Sequence, residues 1–248
     1  VNIVLVHPAD ANAEGVYVVR DRRARHIREV LRASDGAHIR VGRRDGPLGE
    51  AEVRLGAGDG PRGAVELRCR WDEAAPEPWL DLAVGIPRPK QLQKLLPQLS
   101  AMGLRHLALL RTWRVQRPYL RSPLLRPEVH GALLEAGLMQ GGRTFWPRVE
   151  FVERFEVFAE RDFEPIGARL VADPRAPSDL ADRDPGAVSA PVFLVVGPGG
   201  GLLPYEVERL AARGFEPTRF GPSTLRTDTA CVAIAGQLDL HRRMALRR

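Results

Sequence analysis

Short runs in which apolar and polar positions alternate, broken by glycine, proline and aspartate, make up the first part of the chain. Residues 16–19, 37–41, 49–54 and 65–69 predict β-strands, and Val1 to Val6 reads as a first strand ahead of Pro8. Arg44-Asp45-Gly46-Pro47 and residues 56–61 carry turn chemistry. One helical stretch interrupts the strands over residues 22–31, with Ile27, Val30 and Leu31 on one face. Residues 1–72 therefore predict a small β-barrel.

The period changes after an acidic, proline-containing linker at residues 72–78. Residues 80–86 predict a strand, and residues 90–102 an amphipathic helix with Leu92, Leu95, Leu96 and Leu99 on one stripe. Strands follow at 106–110, 169–172 and 192–196, with a short extended piece at 149–151. Helices are expected at 127–139, at 204–213 with Glu206 and Glu208 near its start, and at 229–243. Strands alternating with helices predict an α/β domain with a largely parallel sheet over residues 78–248.

Composition narrows the function classes. A chain of 248 residues that is 44% hydrophobic can bury a core. It has no apolar run of eighteen residues and no charged leader before its first strand, so no membrane partner and a cytoplasmic location are expected. Lys90 and Lys94 are the only lysines, so the net charge of +6 comes almost wholly from arginine. Genomic base composition can produce that bias; arginine forks also suit a polyanion such as RNA. Cys69 and Cys231 are far apart, and the six histidines lack ligand spacing, so no metal is expected. Cys231 lies in an apolar run and is expected in the core.

The candidate chemistry lies near the C-terminus, in two glycine-marked loops. Gly197-Pro198-Gly199-Gly200-Gly201 directly follows the run Val192-Phe193-Leu194-Val195-Val196. Without a following Lys-Ser/Thr it is no Walker loop, and Pro204, not a glycine, opens the next helix. It reads either as a tight turn or as a backbone cradle at strand carboxyl ends. The second loop, Phe220-Gly221-Pro222-Ser223-Thr224-Leu225-Arg226-Thr227-Asp228-Thr229-Ala230, precedes an apolar helix. Thr227 or Asp228 could be the helix N-cap. A cation at a helix N-terminus is unfavourable, so Arg226 is expected to meet an anion or a polar ligand.

In sequence these loops resemble the C-terminal motifs of the RsmE family, the 16S ribosomal RNA uridine-N3 methyltransferases of the SPOUT superfamily. Val196 to Leu203, ending at Glu206, follows the spacing of I-G-P-E-G-G-F-S-x-x-E, and residues 220–230 follow L-G-x-x-I-L-R-x-E-T-A. Arg25-His26-Ile27-Arg28-Glu29-Val30-Leu31-Arg32, followed by Asp35-Gly36, is similar to H-H-L-x-x-V-L-R; residues 83–103 are similar to a strand and helix ending in E-L-G; Gln140, Arg143 and Pro147 are similar to E-Q-x-x-R-x-x-x-P. The resemblance spans the whole chain. It implies a PUA-like, RNA-binding β-barrel over residues 1–72, then a SPOUT trefoil-knotted α/β methyltransferase domain over 78–248. It also implies a homodimer, S-adenosylmethionine as the methyl donor, and ribosomal RNA or the small ribosomal subunit as partner.

Roles follow from the same resemblance. Val196, Gly197, Pro198, Gly199, Gly200 and Gly201, with Phe220, Gly221, Leu225, Thr227, Thr229 and Ala230, are expected to bind the donor. Arg226 is expected to stabilise an anion in catalysis, and Asp228 to act as base. Arg25, His26, Arg28, Arg32, Arg114, Gln140 and Arg143 are expected to contact RNA, a solvated charged face being the alternative for the basic stretches. Arg23 belongs to the first basic stretch, and Arg111, Arg117 and Arg121, interleaved with Trp113 and Tyr119, to a second. The chain departs from the family at Gly199, Met139, Gln98 and Ala101, where charged residues are lost, and at Asp228, a shorter carboxylate. Those losses fall on groups that could touch RNA, which leaves open a different RNA or nucleoside-like substrate, or an RNA-binding relative without catalysis.

Overall fold

The structure, a computed structural model, describes residues 3–56, 63–163, 167–185 and 191–247. The turn expected at 56–61 lies almost wholly outside the described residues. The chain divides into two units: Val1–Glu77 with Glu135–Trp146, and Pro78–Leu134 with Pro147–Arg248.

In the first unit, β1 (Val4–Val6), β2 (Tyr17–Val19), β3 (His38–Arg43), β4 (Leu48–Leu55) and β5 (Val65–Glu73) form a five-stranded sheet in the order β1-β3-β4-β5-β2. Only β1 and β3 pair in parallel. Alternate side chains from all five strands, edges included, meet in one core: Val4, Val19, Val41, Val53 and Leu67 are fully buried there. A sheet whose two edges share one core is barrel-like, as the pattern predicts. The helix expected at 22–31 is different in detail. It is a short α1 (Arg22–Arg25) that widens into a π-turn over His26–Val30, with Leu31 N–H reaching the His26 carbonyl. The extra residue in that turn buries Ile27 and turns Val30 outward, 64% exposed.

In the second unit, β6 (Leu80–Gly85), β7 (Leu104–Leu110), β8 (Arg148–Val152), β9 (Ala168–Ala172), β10 (Val192–Val196) and β11 (Glu216–Thr218) form a six-stranded, wholly parallel sheet in the order β11-β9-β10-β6-β7-β8. The short β11 went unread in the sequence because Pro217 occupies its centre. On one face α2 (Pro89–Ala101) and α6 (Thr227–Ala245) pack together; on the other lie α4 (Phe155–Ala159) and α5 (Pro204–Ala211). The remaining helix, α3 (Pro127–Gly141), has its first part, to Leu134, in this unit, and Leu134 joins the first of these cores. Period-two alternation feeds both cores. Val192, Leu194 and Val196 of β10 join the α2/α6 core, while Phe193 and Val195 join the α4/α5 core. Cys231 is fully buried in the α2/α6 core, and burial pushes its thiol pKa up. Among the described residues no helix is long and apolar enough to cross a membrane.

One close approach fixes where the first glycine loop leaves the sheet. A Cβ on Gly85, at the end of β6, would sit 2.5 Å from Pro198 Cδ and 2.6 Å from its nitrogen. Gly85→Ala should therefore overpack this junction and lower stability by about 1–3 kcal/mol in urea unfolding. A midpoint equal to the parent's would show that Pro198 can move away freely.

Candidate functional site

β9, β10 and β11 end side by side at Ala172, Val196 and Thr218, and these three residues floor a cavity of about 410 Å³ in the second unit. The carboxyl edge of a parallel sheet is where such folds place ligands. Both glycine loops line this cavity. From the first come Val196, Gly197, Pro198, Gly199, Gly200 and Gly201; from the second come Phe220, Gly221 and Leu225. Thr227, Ala230 and Ile234 complete the wall from α6 at helical i, i+3, i+7 spacing. Thr229, also expected here, is exposed and off the wall, because it sits two residues from Thr227 and so on another face of the helix.

Backbone conformation makes the cradle. Gly201 and Gly221 have φ of +73° and +105°, which side chains rarely adopt. A Cβ on Gly197 would fall 2.8 Å from Leu202 N, whereas one on Gly199 or Gly221 would meet nothing within 4 Å. Gly197 is thus fixed by tight turning, while Gly199, which also lines the cavity, has open space where a Cβ would sit. Thr227 Oγ1 donates to the Gly197 carbonyl at 3.2 Å and ties the two loops together.

A buried carboxylate secures the same loop from beneath. Glu206, fully buried in the first turn of α5, accepts from Leu203 N–H at 2.7 Å and from Trp113 N–H at 2.9 Å. It caps its own helix and anchors the segment after β7. That segment carries Arg114, whose Nη1 donates to the Gly200 carbonyl. Arg114, expected on RNA, lines the cavity.

Arg226 and Asp228 lie off the cavity wall. The N-cap position of α6 is filled by Arg226, not by Thr227 or Asp228, and no side chain caps it. Thr227 is occupied by Gly197, and Asp228 Oδ1 accepts from Gln91 Nε2 of α2 at 2.9 Å. Arg226 Nε stands 3.7 Å from that same oxygen, with its side chain 73% exposed. The anion expected beside Arg226 is thus in part its own neighbour Asp228, a long contact between an exposed guanidinium and a half-buried carboxylate.

The remaining expected RNA contacts belong to the first unit. Arg25, Arg32 and Gln140 are exposed; His26, Arg28 and Arg143 are half-buried. Arg28 Nη2 donates to the Ala64 carbonyl at 3.0 Å, and Arg143 Nη1 lies 3.4 Å from the carbonyls of Pro76 and Glu77. Arg23 faces inward, only 6% exposed, and donates to the Leu5 carbonyl, Asp10 and Asp21. It is a structural ion pair, since its guanidinium has no open donor face. In the second unit Arg111, Arg117 and Arg121 are exposed.

Sequence reading missed Asp173-Pro174-Arg175, which forms the cavity wall after β9. The signal was present as a third strand-to-loop transition, directly after residues 169–172. It also missed Gln91, which nothing in the periodicity distinguishes from a solvated helix position.

Residues 75–239 match the sequence model of the RNA methyltransferase domain family. The chain is 31% identical to ribosomal RNA small subunit methyltransferase E of Treponema pallidum, over 94% of this chain and 89% of that protein. It is 25% identical to ribosomal RNA small subunit methyltransferase E 1 of Borreliella burgdorferi, over 87% and 88%. The fold is similar to the crystal structure of ribosomal RNA small subunit methyltransferase E from Neisseria gonorrhoeae bound to S-adenosyl methionine, with a TM-score of 0.76, 18% identity, and 96% and 97% of the two chains covered.

Removing the Glu206 carboxylate strands two backbone N–H groups under the loop. Glu206→Ala should cost roughly 2–4 kcal/mol in chemical denaturation, and a loss below about 0.5 kcal/mol would show that water replaces both bonds.

Proposed function

The chain belongs to the ribosomal RNA small subunit methyltransferase E family, and from that premise we propose that it methylates N3 of a uridine in 16S ribosomal RNA, using S-adenosylmethionine. The observation that carries the proposal is the convergence of both glycine loops on one cavity at the carboxyl ends of β9, β10 and β11. The cavity fits the donor. Its 410 Å³ falls within the range of about 300–1,000 Å³ usual for small-molecule sites. Val196, Leu202, Phe220 and Ile234 offer apolar surface for an adenine, and the backbone around Gly199 and Gly221 is open to close approach.

When bound, the donor supplies a methyl group already activated on a sulfonium. The chain's task is then to orient it and to prepare the nucleophile. Uracil N3 carries a proton and attacks poorly until that proton leaves. Asp228, held through Oδ1 by Gln91, takes the N3 proton, and the exposed Arg226 guanidinium stabilises the uridylate that results. Arg25, Arg28, Arg32, His26, Gln140 and Arg143 of the barrel-like unit hold the RNA, chiefly through its phosphates. The exposed apolar side chains Leu240 and Met244 on α6 support a homodimer. A knotted path belongs to this reading as what the family resemblance implies. The enzyme acts in the cytoplasm, where its substrate is.

One departure favours a second reading. Gly199 stands where the family carries glutamate, on the cavity wall and with open space beside it. A different uridine, or a nucleoside-like substrate, would exploit that space.

Arg226→Ala should lower the rate of methyl transfer by about 10²–10³-fold while calorimetric donor affinity and the unfolding midpoint stay at parent values. Unchanged turnover removes Arg226 from the reaction. Affinity for ribosomal RNA should fall steeply between 50 and 200 mM salt, by about 0.7–0.9 log units per log unit of salt for each phosphate contact. A flat salt response would point to a small-molecule substrate.

A further inference from the structure

We propose that Arg114 is a donor-site residue, receiving the amino-acid carboxylate of S-adenosylmethionine at the Gly200 end of the cavity. The inference rests on the donor-binding reading above and assigns one end of the ligand.

Among the residues lining the cavity, two carry guanidinium groups and one carries a carboxylate: Arg114, Arg175 and Asp173. Arg175 and Asp173 satisfy each other. Arg175 Nε lies 3.1 Å from Asp173 Oδ1, its Nη2 lies 3.4 Å from Oδ2, and its backbone N–H donates to Oδ1 at 3.0 Å. Arg114 forms no ion pair with a carboxylate among the described residues. Its one acceptor is the Gly200 carbonyl, taken by Nη1, which leaves most of the five guanidinium donors for a ligand.

The group is also held in place. A Cβ on Gly200 would lie 3.1 Å from Arg114 Cδ and 3.4 Å from its Cβ, so the arginine stem runs along the bare glycine backbone. One residue earlier, the Trp113 N–H is fixed on the buried Glu206. A positioned fork without an anionic partner, at the edge of a backbone cradle, matches a planar carboxylate in bidentate fashion. RNA phosphate is the competing anion; the cavity-side placement of Arg114 favours the small ligand, and the experiment separates the two.

S-adenosylmethionine and decarboxylated S-adenosylmethionine differ only in that carboxylate. Titrated calorimetrically into the full-length protein, the parent should bind the first more tightly. Arg114→Ala should weaken S-adenosylmethionine roughly ten- to hundredfold and leave the decarboxylated ligand within about threefold. Arg114→Lys, a point charge without the fork, should fall between. Equal weakening of both ligands would overturn the assignment, because Arg114 would then only shape the loop. Unchanged affinity for both, with ribosomal RNA binding reduced, would overturn it in favour of a phosphate contact. Failure of the parent to bind either ligand would overturn the donor-binding reading itself, and this inference with it.

Discussion

β10 is hydrogen-bonded along both edges, to β6 and to β9, and each face is covered by a different apolar core. A five-residue strand buried on both faces cannot slip by one position without exchanging its two cores. Its exit at Gly197 is therefore set to within a residue, and Gly85 and Pro198 lock that exit by close contact. The geometry of the candidate site follows from this placement. Thr227 reaches the Gly197 carbonyl, Arg114 reaches that of Gly200, and Glu206 fixes the helix that begins just beyond the loop.

Much of this was legible in the residues themselves. The leucine stripe of α2 and the apolar runs of β6 and β10 have the right period and length, and burial follows them position by position. The two glycine loops were the expected donor-binding segments, and the structure brings both to one cavity. Reading failed where tertiary context overrides local pattern. Val30 has helical spacing with Ile27, but the π-turn rotates it outward. Arg23 looks like one more basic residue on a positive helix, yet it is drawn inward by the adjacent N-cap Asp21 and by Asp10, across a sequence gap that no periodicity spans.

The same limit applies within the site. Capping rules pointed to Thr227 or Asp228 as the N-cap of α6, but both side chains are claimed from elsewhere, by Gly197 and by Gln91. Arg226 takes the cap position by default, and its side chain goes to solvent. A rule based on local chemistry could not foresee partners from distant segments of the chain. Family resemblance supplied what periodicity lacks, namely the identity of the ligand and the nature of the reaction. Gly199, where the family pattern leads one to expect glutamate, lines the cavity.

Transfer of isotopically labelled methyl from S-adenosylmethionine to small ribosomal subunits lacking N3-methyluridine, digested to nucleosides and read by mass spectrometry, tests the central claim most directly. Labelled N3-methyluridine is the predicted product. Label in another nucleoside, or none despite demonstrated donor binding, would contradict it.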